Sequence, residues 1–145
     1  MAASDTAVTP AEGQARGETL ASISTGLVQL HSRYYGKGPT KAKTFLFDDT
    51  VVCLLRGGFT TVERTLIEQG NAEAVHSIRR SFQDAMEGPF TSLVEAATGR
   101  KVIAYMSQVH EAAEIAAELF VLEPSEQAVV QAGEQELHGG EELAT

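Results

Sequence analysis

The sequence predicts a single α+β domain with two layers, in which helices cover one face of a four-stranded sheet. Hydrophobic residues make up 43% of the 145 residues, enough for a packed core and too many for a disordered chain. Two stretches repeat apolar residues at spacings of three and four, which is typical of amphipathic helices. Four short apolar runs, two before the longest helix and two after it, are typical of strands. The predicted order of elements is α-β-β-α-α-β-β.

The amino end, residues 1–17, is predicted to be a disordered arm because it is small and polar and contains Pro10 and Gly13. It has neither the basic start nor the apolar core of a signal peptide. No apolar run nears the roughly 20 residues that span a bilayer. We therefore expect a cytoplasmic protein with no direct membrane insertion, whose folded domain occupies residues 18–124.

The first helix is predicted from about Glu18 to Tyr35, because apolar residues recur on one face of this stretch. Gly36 and Gly38 end the helix, since glycine readily adopts the backbone angles of a helix terminus. His31 is expected at an exposed or boundary position. The residues of the apolar face are Leu20, Ile23, Leu27, Leu30 and Tyr34.

Two strands, about residues 43–48 and 51–56, are predicted to form a hairpin. Asp48-Asp49-Thr50 between them suits a tight turn, because aspartate tolerates the backbone angles of hairpin loops. The second strand is apolar on both faces, which is typical of a strand that is central in its sheet or covered on both sides. Cys53 in this strand is expected to be a buried apolar residue. Since it is the single cysteine, an intramolecular disulfide is excluded.

Two helices are predicted to follow the hairpin. The first is short, about residues 61–69, and begins with a capping box in which Thr60 and Glu63 satisfy each other's backbone N–H groups. The second is long: Asn71 can cap it, its apolar face continues through about 25 residues, and Thr98-Gly99 ends it. Pro89 is expected to kink or interrupt this helix, because proline lacks an N–H and crowds the preceding turn.

The carboxyl third is predicted to hold strands at about 101–108 and 118–122, with a possible short helix at 111–114 and a tail over 125–145. The long helix before the third strand permits a parallel or a distant placement of that strand, so the strand order stays open.

Residues 111–145 contain nine Glu and no Lys or Arg, which accounts for the net charge of −9. Such acidity argues against binding to nucleic acid or anionic lipid. The tail is either a solubilising segment or a docking segment.

Three segments carry a family resemblance. They are YGKGPTK, DDTVVCLLRGGFT and TGRKV, and they occur in the expected order within a likeness that covers about residues 18–124. Over this range the chain resembles the domain family named for component C of a Na+-translocating membrane-potential-generating system. The resemblance implies an accessory or regulatory role at a membrane transporter that moves sodium and inorganic carbon. It implies no catalytic residues and no cofactor.

Two glycine-containing segments rich in cations flank the hairpin. A hairpin returns the chain, so both segments are expected at the same end of the sheet. The second leads into a helix start, where free N–H groups and the helix dipole favour an anion. We therefore predict a site for a small anion such as bicarbonate or phosphate, formed by Lys37, Gly38, Thr40, Lys41, Arg56, Gly57, Gly58 and Thr60. The alternative is that the glycines only shape two turns and the cations are solvated.

No arrangement of nucleophile and base or of paired acids stands out, so we expect no enzyme, no catalytic residues and no metal site. His110 with Glu111 and Glu114 could touch a metal, but a histidine at a strand end is more often structural. We expect a small binding or regulatory module that forms a homodimer or homo-oligomer, because four strands leave two sheet edges to cover. The alternatives are a sensor or enzyme that binds a small anion at the glycine segments, and a scaffold component that joins an assembly through the acidic tail.

Overall fold

The computed structural model of the protein describes residues 9–125. Three helices and four strands follow one another in the predicted order, which confirms the α+β class. Apart from Ser125, the predicted acidic tail lies outside the described residues, as do residues 1–8 of the predicted arm. The elements are α1 (Pro10–Tyr35), β1 (Lys41–Phe47), β2 (Thr50–Arg56), α2 (Thr61–Glu68), α3 (Ala72–Thr98), β3 (Val102–His110) and β4 (Ile115–Leu122).

The four strands form one antiparallel sheet in the order β1-β2-β4-β3. The last strand therefore lies beside β2 in the centre, and β3 lies at an edge. β3 and β4 form a second hairpin through a tight turn in which Glu114 has a φ of 52°. The short helix considered for residues 111–114 is not present, because this turn connects the two strands directly.

The helices cover one face of the sheet, which we call the inner face. Burial alternates along the two central strands, so that every second residue of β2 and β4 is buried. This alternation follows from the pleat of a strand, which points successive side chains to opposite faces. The largest fully buried side chains of the core are Ile23, Leu27, Val51, Leu55, Phe59, Val75, Phe90, Val94, Phe120 and Leu122.

The first helix begins at Pro10, well before the predicted start near Glu18. Thr9 caps it: the Thr9 hydroxyl accepts from the Glu12 amide (3.2 Å) and the Glu12 carboxylate accepts from the Thr9 amide (3.1 Å). Proline at the first helical position has the fixed φ that a helix start needs. The prediction that residues 10–17 belong to a disordered arm was therefore wrong.

The long helix α3 is continuous from Ala72 to Thr98. The interruption predicted at Pro89 does not occur. Phe90 beside the proline is 1% exposed and Met86 is 2% exposed, so both flanks of this segment pack into the core. Burial of these neighbours stabilises the helical path and offsets the hydrogen bond that the proline cannot make.

Candidate functional site

The two glycine segments that flank the hairpin meet at one end of the sheet, as the sequence predicts. Gly57 and Gly58 have φ of 73° and 83°, a region that favours glycine. A Cβ on Gly58 would lie 2.8 Å from the Pro39 nitrogen. The Thr40 amide donates to the Arg56 carbonyl (2.8 Å), and the Thr40 hydroxyl donates to the same oxygen (3.2 Å). The segments thus form a tight backbone joint, which we call the glycine joint (residues 38–40 and 56–58).

The cations of the predicted anion site surround this joint but have no acidic partner within the described residues. Lys37, Lys41 and Arg56 are exposed. Lys41 lies directly opposite Arg56 in the register of β1 and β2. None of these three side chains forms an ion pair within residues 9–125. The structure therefore places two cations side by side at the end of the sheet.

The start of α2 is already occupied by a carboxylate of the chain itself. The Thr60 amide donates to Glu63 Oε1 (2.9 Å), and the Thr60 hydroxyl accepts from the Glu63 amide (3.2 Å). This is the capping box that the sequence predicts, and it is confirmed. The Glu63 carboxylate therefore occupies the position at the helix start where the anion hypothesis places an external ligand. Glu63 is only 2% exposed.

Arg79 of α3 neutralises this carboxylate. Its Nε donates to Glu63 Oε2 (2.6 Å) and its Nη2 donates to Oε1 (2.8 Å), which is the two-bond geometry that makes such pairs strong. The Tyr35 hydroxyl donates to Oε2 (2.7 Å). The guanidinium lies between two rings, 4.1 Å from the centre of Phe59 and 4.3 Å from the centre of Tyr35. Cation–π contacts therefore add to the ion pair.

His31 completes this buried cluster from α1, and the expectation that it lies at an exposed or boundary position was wrong. It is 4% exposed. Its Nε2 lies 3.4 Å from Arg79 Nη1 and its Nδ1 lies 3.3 Å from the Lys37 carbonyl. Because arginine can only donate and a carbonyl can only accept, His31 carries its proton on Nδ1 and is neutral. Burial, followed by the charge of Arg79, lowers the pKa of His31 to about 4.

These contacts connect all three helices with Lys37 and Phe59, which adjoin the glycine joint. Burial alone would raise the pKa of Glu63, but the hydrogen bonds from Arg79 and Thr60 outweigh it and lower that pKa. Glu63, Arg79 and His31 are each under 5% exposed, and their partners enclose them. An external substrate cannot reach groups enclosed in this way.

A second set of polar groups crosses the inner face of the sheet. Glu118 of β4 is 3% exposed and lies opposite Cys53 of β2, which in turn lies opposite Thr44 of β1. The Tyr105 hydroxyl donates to Glu118 Oε2 (2.5 Å), and the hydroxyls of Thr44 and Ser24 lie 2.6 Å apart. Burial raises the pKa of Glu118 to about 7. It also raises the pKa of the Cys53 thiol, whose predicted burial is confirmed.

The histidine considered for a metal site faces other partners. His110 Nδ1 accepts from the Ala113 amide (3.1 Å). Glu111 pairs with His76, and Glu114 pairs with Arg64 (3.0 Å). Within residues 9–125 no group of three or more His, Cys, Asp or Glu side chains could hold a metal ion.

The face of the sheet opposite the helices, which we call the outer face, is apolar and uncovered within residues 9–125. Residues on this face alternate with the buried ones, and none is fully buried. Phe47 is 62% exposed and Met106 is 54% exposed, one on each edge strand. The register aligns apolar residues across all four strands. They are Phe45, Phe47, Val52, Leu54, Met106, Ala117, Leu119 and Val121.

A family model with the description Na+-translocating membrane potential-generating system (MpsC) matches residues 15–124. The chain belongs to this family. The matched range includes all four strands, the glycine joint and the buried cluster, and it agrees with the resemblance carried by the three sequence segments. Comparisons with curated proteins and with solved structures returned no match.

The family description links MpsC domains to a membrane system that translocates Na+. Each helix within residues 9–125 of this MpsC domain is too short or too polar to span a lipid bilayer.

Sequence reasoning missed two features of this MpsC domain that carry information about function. The sequence places Glu118 in a strand. Residues two apart in a strand share a face, so the apolar Ala116 and Phe120 on either side of Glu118 indicate from the sequence alone that it lies on the inner face. The outer face was signalled by β2, which is apolar on both sides. The sequence allowed two explanations for this apolar strand: a central position in the sheet, or cover on both faces. The central position of β2 is confirmed, and the helices cover only its inner face.

Proposed function

We propose that this MpsC domain is a non-enzymatic binding or regulatory module that works in the cytoplasm as an accessory to a Na+-translocating membrane system. The family match supports the link to such a system. The observation that carries the proposal is the outer face, where a continuous apolar surface spans four strands. Large exposed apolar patches on folded domains are typical of protein-binding surfaces.

The enclosed polar groups support a role in binding rather than in catalysis. Catalytic acids and bases need access to a substrate. Here the ion pair of Glu63 and Arg79 is sealed by Tyr35, Phe59 and His31, and Glu118 lies beneath the helices. The ion pair of Glu63 and Arg79 therefore serves the fold, and Glu118 is not placed to contact a substrate.

The proposal is tested by co-purification from cells that carry the natural membrane system. We expect the tagged protein to recover membrane subunits, and we expect a variant with Phe47→Lys and Met106→Lys to lose them, because both side chains are exposed on the outer face. Val62→Lys is the matched control, since Val62 is 67% exposed but lies on α2, away from the sheet. Equal recovery by all three proteins would contradict a function of the outer face.

A second candidate function is binding of a small anion, favoured by Lys41 and Arg56 beside the glycine joint, which lack an acidic partner within residues 9–125. The test is titration of bicarbonate and of phosphate, followed by amide NMR. Binding predicts saturating shifts at Gly57 and Gly58 that disappear in a Lys41→Gln variant. No shift up to tens of millimolar would remove this candidate.

A further inference from the structure

The outer face has an uneven charge distribution along its strands. Lys41, Lys43 and Arg56 are exposed at the end of the face where β1 begins and β2 ends. At the opposite end, Asp48 follows β1 and Glu123 follows β4, and both are exposed. None of these five side chains forms an ion pair within residues 9–125, although the main chain of Glu123 accepts from Arg100. Lys101, also exposed, lies beside Glu123 at this second end, and Arg100 pairs with Asp49 there. The face is thus apolar in the middle and basic at one end along β1 and β2, whereas its other end carries two acids and one lysine that form no ion pair within residues 9–125.

We propose that the outer face binds the outer face of a second copy of this chain, with the strands of the two copies running in opposite directions. This inference rests on the proposed function of the outer face as a protein-binding surface, and it names the partner. It differs from association through the sheet edges, because the contact is face to face.

The size of the outer face, with its charged ends included, is close to that of such a contact. Strands about 4.8 Å apart, with about 3.3 Å per residue over the length of β1 and β2, give a flat area of roughly 440 Å² per copy. Two such faces approach the about 1,000 Å² expected of a specific interface, and side chains that stand off the sheet add to it. Two sheets packed in this way form a sandwich whose inner side chains interdigitate.

The charges select the orientation of the two copies. A half-turn about an axis in the interface and perpendicular to the strands places β1 over β1 of the second copy, with opposite ends together. Lys41 of each copy then approaches Asp48 of the other, Lys43 lies over Phe45, and Arg56 approaches the end that carries Glu123. A half-turn about an axis parallel to the strands would instead place β1 over β3 of the second copy, with the basic ends of both copies at the same end of the interface and the two Arg56 side chains on neighbouring strand positions. Like charges in contact disfavour that arrangement.

The aromatic side chains of β1 fit the same orientation. Phe45 and Phe47 stack with their ring centres 5.9 Å apart, and the Lys43 ammonium lies 5.2 Å from the centre of Phe45. When β1 lies antiparallel over its copy, each pair of rings covers the lysine end of the other strand. Lysine over an aromatic ring is a favourable contact that gains strength as water is excluded.

The first test is sedimentation equilibrium of the purified 145-residue protein over a range of concentrations, in the presence and absence of anionic lipid vesicles. We expect a dimer for the wild type and for Val62→Lys. We expect Phe47→Lys with Met106→Lys to weaken dimerisation by about 100-fold or more, since buried apolar anchors dominate interfaces. Unchanged circular dichroism would verify that the variant is folded.

The second test addresses orientation by exchanging charges. Lys41→Glu with Lys43→Glu, and separately Asp48→Lys, should each weaken self-association by roughly 10- to 100-fold. An equimolar mixture of these two variants should form a heterodimer with near wild-type affinity, because every contact between the ends is again between opposite charges.

Three results would overturn the inference. The first is a wild-type protein that stays monomeric at a concentration about 100-fold above a micromolar Kd. The second is a dimer that persists in the Phe47→Lys with Met106→Lys variant. The third is a monomer that sediments with the vesicles. A monomer that still recovers membrane subunits through its outer face would leave the proposed function standing and refute only the second copy as partner. A dimer that recovers no membrane subunit would support the inference and contradict the accessory role.

Discussion

At the scale of single residues, the ion pair between Glu63 and Arg79 holds the helical layer together. A buried pair loses stability when one partner is removed, because the remaining charge keeps its desolvation cost without its counter-ion. Arg79→Met should therefore lower the free energy of unfolding by about 3–5 kcal/mol. The measurement is urea denaturation followed by circular dichroism.

The matched control for Arg79→Met is Arg64→Met. Arg64 also pairs with a glutamate, Glu114, but its side chain is 48% exposed. An exposed pair contributes at most about 1 kcal/mol, so this variant should be close to wild type. Similar losses in both variants would mean that burial of the Glu63 pair has no special role.

Two buried titratable residues should give the domain opposing dependences on pH. His31 has a folded pKa of about 4, below its ordinary 6.5, so its neutral form favours the fold and stability is lost as pH falls from 6.5 towards 4. Glu118 has a folded pKa of about 7, above its ordinary 4.5, so stability is lost as pH rises from 4.5 to 7. Each effect reaches about 3 kcal/mol, and between pH 5 and 6.5 they largely cancel.

Single substitutions should separate these two effects. Glu118→Gln removes one slope, so its stability should fall on acidification from pH 6.5 to 5. His31→Gln removes the other, so its stability should fall as pH rises over the same interval. Chemical denaturation at several pH values checks both. A wild type with a steep slope here, or two variants with slopes of the same sign, would contradict the assignment.

At the scale of elements, the glycine joint fixes the path from the hairpin into α2. Gly58 and Gly70 both have positive φ, of 83° and 79°, so alanine is strained at either position. Only at Gly58 would the new Cβ meet backbone, at 2.8 Å from the Pro39 nitrogen, whereas nothing lies within 4 Å of it at Gly70. Gly58→Ala should therefore cost at least about 2 kcal/mol more than Gly70→Ala.

Thermal unfolding of the two alanine variants measures this difference. If Gly58→Ala and Gly70→Ala have the same midpoint, the contact between residues 38–40 and 56–58 is looser than the distance to Pro39 indicates.

Elements with local signals could be predicted, and those that depend on long-range packing could not. The capping box of Thr60 and Glu63 predicted the start of α2 correctly. An equivalent box at Thr9 and Glu12 was overlooked because no large apolar residue follows until Leu20, so the periodic pattern that marks a helix starts late. His31 appeared exposed because its buried position depends on Arg79, 48 residues away.

The candidate site was predicted in part. The sequence brought residues 38–40 and 56–58 together correctly, because a hairpin returns the chain. It predicted Glu63 as a cap at the start of α2, but it could not reveal that this carboxylate is buried, since the partner that neutralises it, Arg79, lies on another helix. The exposed side of the sheet was likewise hidden, because an apolar strand looks the same whether one face or both are covered.

At the scale of the whole molecule, the order β1-β2-β4-β3 gives the strands unequal protection. β2 and β4 are paired on both sides, whereas β1 and β3 each have one unpaired edge within the described part of the chain. Amide hydrogen exchange should therefore be slowest in β2 and β4, which open only when the domain unfolds globally. Slowest exchange in β1 or β3 would contradict this order, and a face-to-face dimer would leave the ranking unchanged because it adds no backbone hydrogen bonds.

The central position of the last strand also governs how the chain can fold. Thr50 pairs with Val121 and Arg56 pairs with Ile115, so the two middle strands come from distant parts of the sequence. Such pairing closes a long loop before it gains contacts, and a high contact order slows folding. During synthesis, the β1–β2 hairpin leaves the ribosome well before β4, the strand that pairs with the free edge of β2. Until then, β2 exposes an apolar edge to neighbouring chains, so the nascent protein is expected to depend on chaperones until β4 has emerged.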